Sequence, residues 1–231
     1  MTEPSSASAL KSGTMSKHST ATDDQPLTSR GRRTKAALVA AAREIFEKDG
    51  FQEARIADIT ALAGSSYGTF YNYFESKHDI MRELFTTVTG EMFAASRVGG
   101  GAADTPWARI DAANRQYLAV HARNARLISI IDEMAPRDPF FRELKLQIRE
   151  LFLHRNEDGI RKLQQRGLAR KGIDPHIAAS ILGGMVEHFA TMWCVYDVTF
   201  DEEAAIRTLT DLWSSAIGVQ IPDTNWTLTG Q

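Results

Sequence analysis

Cysteine is almost absent from this chain, which has one, Cys194, among 231 residues. A single cysteine excludes a disulfide within the chain and any metal site built from several thiolates. Cys194 lies in an apolar segment, where an inert buried thiol is the ordinary interpretation.

Long apolar runs are also missing. No run reaches the roughly 18 to 20 residues that a membrane span needs, and residues 1–13 lack the apolar stretch of a secretory signal. At 43% hydrophobic residues the chain still has enough apolar material for a sizeable core. We therefore expect a globular cytoplasmic protein with no membrane partner.

The motifs of common enzymes are missing as well. The six histidines show no H-E-x-x-H spacing, the G-x-S-x-G motif does not occur, and no glycine-rich phosphate loop follows a strand. The sequence predicts no catalytic residue, no metal and no cofactor. We therefore expect a protein that is not an enzyme.

Strand patterns and internal repeats are absent, and helical periodicity runs through most of the chain. The predicted fold class is all-α, with about nine helices divided between a small three-helix head and a larger body. Residues 30–78 form the head and residues 79–220 the body. Residues 1–29 and 221–231 are expected to be tails, the first disordered because it is rich in Ser, Thr, Asp and Lys.

The net charge of −2 does not by itself indicate a nucleic-acid partner. Its distribution is more informative, because residues 30–78 hold eight Lys and Arg against six Asp and Glu. Residues 79–231 hold 17 basic against 20 acidic residues. Any positive potential that faces DNA is thus confined to the head.

One stretch of the head contains two short helical patterns joined by a turn. Apolar residues repeat at helical spacing over residues 56–63, and Gly64 follows where the chain must turn sharply. Ser65 and Ser66 can cap a second helix over residues 67–74. Two helices joined in this way form a helix-turn-helix unit.

The same stretch contains a group of short motifs, which are Ala63-Gly64, Gly68-Thr69-Phe70-Tyr71, Tyr73-Phe74 and Lys77. In these motifs the chain resembles the TetR family of one-component transcriptional regulators, over residues 32–85. The turn departs from the family pattern, because Ser65 stands where a small aliphatic residue is usual. Arg55 stands near a position where a threonine is usual, and a charged contact to phosphate would replace that of a hydroxyl.

The resemblance implies that the second helix enters the major groove by its N-terminal residues. We expect base contacts from residues 66–69 and phosphate contacts from Tyr71, Tyr73 and Lys77. The full set of expected DNA-binding residues is Arg32, Arg33, Arg55, Ser66, Tyr67, Gly68, Thr69, Tyr71, Asn72, Tyr73 and Lys77. The basic residues Arg30, Arg32, Arg33 and Lys35 are either an arm that binds phosphates or the solvated start of a helix, and the sequence leaves both open.

Local signals predict most helix boundaries. A helix over residues 34–48 ends at Gly50, a capping box at Ser76-x-x-Asp79 starts another, and a break is expected near Asn124. Polar residues followed by proline predict three further starts, at Thr105-Pro106, Asp138-Pro139 and Asp174-Pro175. Gly167 is expected to end the helix that begins at Asp138. Residues 97–104 read as a flexible loop, and Thr199-x-x-Glu202 as the capping box of a last helix over residues 201–218.

The segment 175–197 is apolar nearly all round, so it must be covered on both sides. The resemblance implies that the last two helices pair with those of a second copy, whereas the ordinary alternative is a monomer core. The expected homodimer-interface residues are Ala178, Gly183, Ile206, Leu209, Leu212, Trp213 and Ile217, with Gly184 also permitting close packing.

The resemblance also implies a pocket in the body for a small hydrophobic effector. The expected ligand-binding residues are Tyr117, His121, Met134, Phe152, Met185, His188, Phe189 and Met192, drawn from a wider set that includes Trp107 and Phe140. Met185, His188, Phe189 and Met192 share one helical face and form the favoured group. His188 either orients the ligand or is a hydrogen-bonded interior histidine.

The function expected from these features is a ligand-responsive regulator that binds double-stranded DNA. The family favours a repressor that binds a palindromic operator as a dimer and is released by a small apolar molecule. Two competing classes remain, an enzyme and a helical interaction protein that has lost DNA binding, and an activator of the same fold is a further alternative. Turnover assays and gel-shift binding to the protein's own promoter region would separate these classes.

Overall fold

The structure is a computed structural model that describes residues 28–95, 105–196 and 198–222. The described residues form nine α-helices and contain no strand, which confirms the predicted all-α class. Their bounds are α1 Ser29–Glu53, α2 Ile56–Leu62, α3 Tyr67–Tyr71, α4 Lys77–Ala95, α5 Pro106–Arg123, α6 Ala125–Met134, α7 Pro139–Gln165, α8 Pro175–Cys194 and α9 Glu202–Ile217. The predicted loop 97–104 and almost all of the two predicted tails lie outside the described residues.

The three predicted polar caps lie at the starts of α5, α7 and α8, and each is followed by proline. The side chain of Thr105 accepts a hydrogen bond from the Ala108 N–H at 3.2 Å, and Asp174 accepts one from the Ile177 N–H at 2.9 Å. Asp138 accepts from the N–H of Phe140 at 2.9 Å. These bonds satisfy N–H groups that have no partner inside the helix.

The helix ends also follow the sequence signals. Gly50 (φ 76°) breaks α1, and Gly167 (φ 71°) lies just past α7, where the Leu168 N–H donates to the Leu163 carbonyl at 2.8 Å. This is the bond of a Schellman motif, which needs a left-handed residue. One cap was assigned wrongly: Asp201, not Thr199, caps α9 by accepting from the Ala204 N–H at 2.8 Å.

The head packs around α1. Leu38, Phe46, Ile59 and Phe70 are fully buried there, and the ring of Phe74 lies 5.6 Å from that of Phe70. The apolar core of the head continues through α4 into α6 and the N-terminal part of α7. Because the head and α4 share this core, a movement of α4 would change the packing of the head.

The body has a second core, formed by α5, α8, α9 and the C-terminal half of α7. By length and composition α8 is apolar enough to cross a membrane. In this fold its residues Ala179, Leu182, Val186 and Ala190 are buried against the neighbouring helices. The body's core is thus built from one face of α8, while other residues of the same helix remain exposed.

Candidate DNA-binding surface and internal cavity

The short helix α3 is held by its own N-cap. The hydroxyl of Ser66 accepts from the Thr69 N–H at 3.0 Å and bonds the Thr69 hydroxyl at 2.8 Å. Gly64 (φ 60°) makes the turn before it, a left-handed conformation that glycine adopts without strain. The turn and cap thus fix the direction in which α3 leaves the head.

Two tyrosines stand on the outer face of α3. Tyr67 is 54% exposed and Tyr71 48%. Their hydroxyls lie 3.3 Å apart and their rings 5.2 Å apart in an edge-to-face arrangement. The hydrogen bond with Tyr67 raises the pKa of Tyr71, and each phenol hydroxyl can donate or accept a hydrogen bond.

The other expected DNA-binding residues differ in exposure. Gly68 and Asn72 are exposed beside the two tyrosines, whereas Thr69 is half-buried and bonded to Ser66. Tyr73 is half-buried and packs against the core of the head. Tyr73 therefore has a packing role in addition to any contact that its hydroxyl makes.

The basic residues around the head also separate into two groups. Arg32, Arg33 and Arg55 are exposed, and Arg55 precedes α2 without capping it through its side chain. Lys35 forms an ion pair with Glu83 of α4 at 2.7 Å and lies over the ring of Phe74. Lys35 thus links α1 to α4 and does not extend a basic arm.

Lys77 occupies a different position from the one expected. Its ammonium nitrogen donates to the carbonyls of Phe51, Gln52 and Ala54 at 2.7, 2.8 and 3.0 Å. Burial lowers its pKa, an effect that nearby Glu53 opposes. The three N–H groups are used inside the head, so this geometry replaces the expected phosphate contact with a structural role.

The body contains a cavity of about 420 Å³ that opens to solvent on one side. This volume falls in the usual range of small-molecule sites, roughly 300 to 1,000 Å³. Its wall includes three of the expected ligand-binding residues, Tyr117, His121 and Phe152. Phe85, Val88 and Met92 of α4 also line it, although the sequence analysis did not select them.

The prediction that the favoured group on α8 binds the ligand is wrong for this cavity. Met185, His188, Phe189 and Met192 do not line the cavity, and His188 is exposed. Phe189 instead packs on Trp193 and Phe200, with ring centroids 5.7 and 4.8 Å away.

The cavity face of α8 lies on the other side of the helix. It is formed mainly by small and polar residues at helical spacing, which are Ser180, Gly183, Gly184, Glu187 and Thr191, with Ala179 and Val186 at its edge. Met134 is also outside the cavity, because its sulfur lies at the contact of α6 with α1, 3.7 Å from the side-chain nitrogen of Gln52. The stripe of small and polar residues was the sequence signal that could have identified the correct face.

His121 is an unusual wall residue. It is 1% exposed, and neither ring nitrogen has a hydrogen-bond partner among the described residues. Burial lowers its pKa to about 4, and the nearby Asp132 opposes this only in part. The ring is therefore neutral at physiological pH, with one donor and one acceptor available to a ligand.

Charged residues also line the cavity. Asp132 forms an ion pair with Lys145 at 2.7 Å. Burial and the carboxylates of Glu187 and Asp132 raise the pKa of Tyr117, which keeps that phenol neutral. Other basic wall residues are Arg109, Arg149, Arg155, Lys162 and Arg166.

Most of the expected interface residues lie inside one protomer. Ala178, Ile206, Leu209, Trp213 and Ile217 are buried in the protomer's own core. Gly183 faces the cavity, and only Leu212 of the expected set is an exposed large apolar residue, at 53%. Two further apolar residues of α8, Ile177 and Ile181, are 58% and 65% exposed and lie in the segment 177–195 that was expected to dimerise.

A short capped helix, exposed on a three-helix head, is how helix-turn-helix regulators present side chains to the major groove. The protein therefore falls in the class of DNA-binding transcriptional regulators. Residues 38–84 match the family described as bacterial regulatory proteins, tetR family. This match covers the helix-turn-helix head and the first part of α4.

Two relatives and one solved structure show how far the similarity extends. The fatty acid metabolism regulator protein of Bacillus subtilis (strain 168) is 23% identical over 183 residues, which are 78% of this chain and 93% of that protein. The HTH-type transcriptional repressor KstR2 of Rhodococcus jostii (strain RHA1) is 26% identical over 158 residues, covering 66% and 74%. The crystal structure of FadR from Bacillus subtilis in complex with stearoyl-CoA shares the fold, with a TM-score of 0.65, 21% identity and coverage of 79% and 98%.

Proposed function

We propose that this protein is a cytoplasmic repressor that binds a palindromic operator as a homodimer and is released from DNA by an apolar small molecule. The supporting observation is the placement of α4. Its residues Phe85, Val88 and Met92 form part of the cavity wall, while Lys77 in its first turn binds the end of α1. A ligand in the cavity thus touches the helix that holds the head.

A second contact links the head to the cavity through α7. His78 of α4 bonds the carboxylate of Asp138 at 3.1 Å, and Asp138 also caps α7. The ring of His78 lies 4.8 Å from those of Phe51 and Phe140. Because α7 forms a long wall of the cavity, a shift of α7 relative to α4 would alter this contact.

DNA recognition in this proposal uses α3 in the major groove. The exposed Tyr67, Gly68 and Asn72 lie where base edges would be read, and Arg33 and Arg55 supply phosphate contacts at the margins. Ser66 and Thr69 are less available for the expected base contacts, because their hydroxyls are hydrogen-bonded to each other.

The homodimer is proposed to form through the exposed faces of α8 and α9. Ile177, Ile181 and Leu212 are large apolar side chains that the protomer leaves uncovered. Exposed apolar patches are typical of interaction surfaces, and each of these two helices carries large apolar residues that could contribute to one. A two-fold axis through this surface would present two heads to two half-sites of an operator.

The effector is proposed to be a long apolar compound of the acyl class. The cavity is bounded mainly by apolar side chains, and it extends along α7 from Lys145 to Arg166. Twenty-one residues of helix correspond to about 31 Å, so a linear molecule fits this shape better than a compact one. Two of the similar proteins named above are a fatty acid metabolism regulator and a FadR structure with stearoyl-CoA.

Operator release tests the proposal directly. Binding of the full chain to its own promoter region is measured by fluorescence anisotropy, with and without acyl compounds that raise the thermal unfolding temperature. An effector must favour the DNA-incompetent state, and the usual coupling of about 1 to 3 kcal/mol predicts operator affinity lowered roughly 5- to 150-fold. Equal ligand affinity with and without saturating operator would contradict release by that ligand.

A further inference from the structure

Arg155 of α7 is a half-buried cation without an acidic partner among the described residues. It lines the cavity, and no carboxylate lies within ion-pair distance of its guanidinium among the described residues. Its guanidinium carbon lies 5.5 Å from the ring centre of Phe93. Burial lowers the pKa of Arg155, and no neighbouring charge compensates. A buried cation is costly unless an anion pairs with it.

Aromatic rings connect Arg155 with the interior of the cavity. The ring of Phe93 stacks on Phe152 at 4.8 Å, and Phe152 meets the edge of Tyr117 at 5.6 Å. Tyr117 in turn lies 5.8 Å from His121. The guanidinium thus stands at one end of an apolar path whose other end is the unpartnered imidazole.

Two further basic residues share the face of α7 that carries Arg155. Lys162 and Arg166 follow it by seven and eleven residues, and both line the cavity. Residues seven and eleven apart on an α-helix point in nearly the same direction. Gly159 lies between them, and a side chain added there would meet no atom within 4 Å. Gly159, Lys162 and Arg166 are all exposed, so this end of the cavity is a positively charged opening to solvent.

We propose that Arg155, with Lys162 and Arg166 beside it, binds an anionic group of the effector while the effector's apolar chain lies along Phe152 and Tyr117. This inference rests on the proposed function and specifies its ligand, an amphiphile with a carboxylate or phosphate head. A free fatty acid carries the carboxylate, and an acyl-coenzyme A carries phosphates. A neutral lipid carries neither.

The test compares four probes of related structure by calorimetry on the full chain without DNA: dodecanoate, dodecanoyl-coenzyme A, dodecanol and coenzyme A. At least one of the two anionic amphiphiles is expected to bind more tightly than dodecanol. Arg155→Gln should weaken that anion about 10- to 100-fold, the range that corresponds to a lost hydrogen bond to a charged group, and leave dodecanol unchanged. Arg155→Lys should recover part of the loss.

The control is Arg142→Gln on the same helix, because Arg142 is exposed and does not line the cavity. The circular dichroism melting curve of each variant establishes that it is folded. If Arg155→Gln weakens the binding of dodecanoate alone, the anionic group is a carboxylate. If dodecanoyl-coenzyme A binds more tightly than dodecanoate, and Lys162→Gln and Arg166→Gln each weaken its binding, the anionic groups are phosphates. Either result supports the proposal.

The proposal is overturned if dodecanol binds as tightly as both anions, if Arg155→Gln binds them with unchanged affinity, or if no probe binds. Operator release is measured separately on the same samples. Probes that bind through Arg155 but leave operator affinity unchanged would refute the proposed function and not this site. If dodecanol released the operator as effectively as the anions, the anion site would be refuted and the proposed function would stand.

Discussion

Replacement of Lys77 by methionine tests whether this residue stabilises the head or contacts DNA. The ammonium group donates to three carbonyls at the end of α1, at 2.7 to 3.0 Å, and lies 4.8 Å from the ring centre of Phe51. Carbonyls at a helix C-terminus lack partners inside the helix and attract positive charge. Methionine retains most of the apolar stem and removes all three donors.

The expected cost follows from these contacts. A hydrogen bond to a charged group contributes about 1.5 to 3 kcal/mol, but three bonds from one ammonium are not additive. Lys77 is also half-buried, so water can replace part of what is lost. We expect Lys77→Met to lower the free energy of unfolding by about 2 to 3 kcal/mol. For a chain of this size that corresponds to a melting temperature lower by roughly 4 to 12 °C.

Melting is followed by circular dichroism, and operator affinity is measured well below the transition at several salt concentrations. Lys48→Met is the matched control, because Lys48 is an exposed lysine of α1, the helix whose C-terminal end Lys77 binds. Its melting temperature should change little. A stable Lys77→Met protein that bound all sequences more weakly, with a flatter salt dependence, would refute this reasoning and restore the phosphate contact.

Further predictions concern stability at low pH, association and DNA readout. The pKa of His121 in the folded protein is about 4, below the value of roughly 6.5 in the unfolded chain. Between these two pH values the unfolded chain binds a proton that the folded protein does not, so stability falls as the pH drops from about 6.5 to about 4. His121→Leu should flatten this pH dependence of the unfolding free energy, measured by urea titration at successive pH values. Ile181→Glu and Leu212→Glu should each weaken dimerisation by about 3 to 5 kcal/mol in sedimentation experiments while the protein stays folded, and a dimer of unchanged affinity would exclude this surface. Tyr67→Ala should change which operator sequence is preferred in a competition assay, whereas Arg55→Ala should weaken all sequences about equally and reduce the salt slope by about one.

Local signals predicted the helix boundaries because a cap is formed within a few residues of sequence. Asp138 and Asp174 precede prolines, and each bonds an N–H two or three residues later. The break at Asn124 was predicted in the same way. For the same reason the exposed face of α3 was predicted correctly at Tyr67 and Tyr71, whose inward neighbour Phe70 is fully buried.

The role of Lys77 could not be predicted from the residues next to it in the sequence. A lysine just after a helix-turn-helix motif is basic and close to the DNA-binding helix, so a phosphate contact was the natural prediction. Its partners Phe51, Gln52 and Ala54 lie 23 to 26 residues earlier. That pairing depends on how α4 packs against the end of α1, which no short motif encodes.

The orientation of α8 was unpredictable for a different reason. Because this helix is apolar nearly all round, the hydrophobic pattern does not distinguish the side that faces α7 from the side that faces solvent. Large apolar residues were assigned to the ligand, but the structure places Ser180, Gly183 and Glu187 there. Small residues leave the volume that forms a cavity, whereas the large apolar residues Ile177 and Ile181 of the same helix stay exposed.

The charged and polar groups in the cavity wall affect which ligands the cavity can bind. A ligand that occupied a purely apolar cavity would be selected by shape alone, and a missing methylene in such a site changes affinity by only about 1 to 3 kcal/mol. A half-buried guanidinium and a buried neutral imidazole instead penalise any molecule that leaves them unpaired. Arg155 and His121, on different helices, thus provide selectivity that the apolar wall cannot. An effector that satisfies both must be long enough to extend along the aromatic path between them.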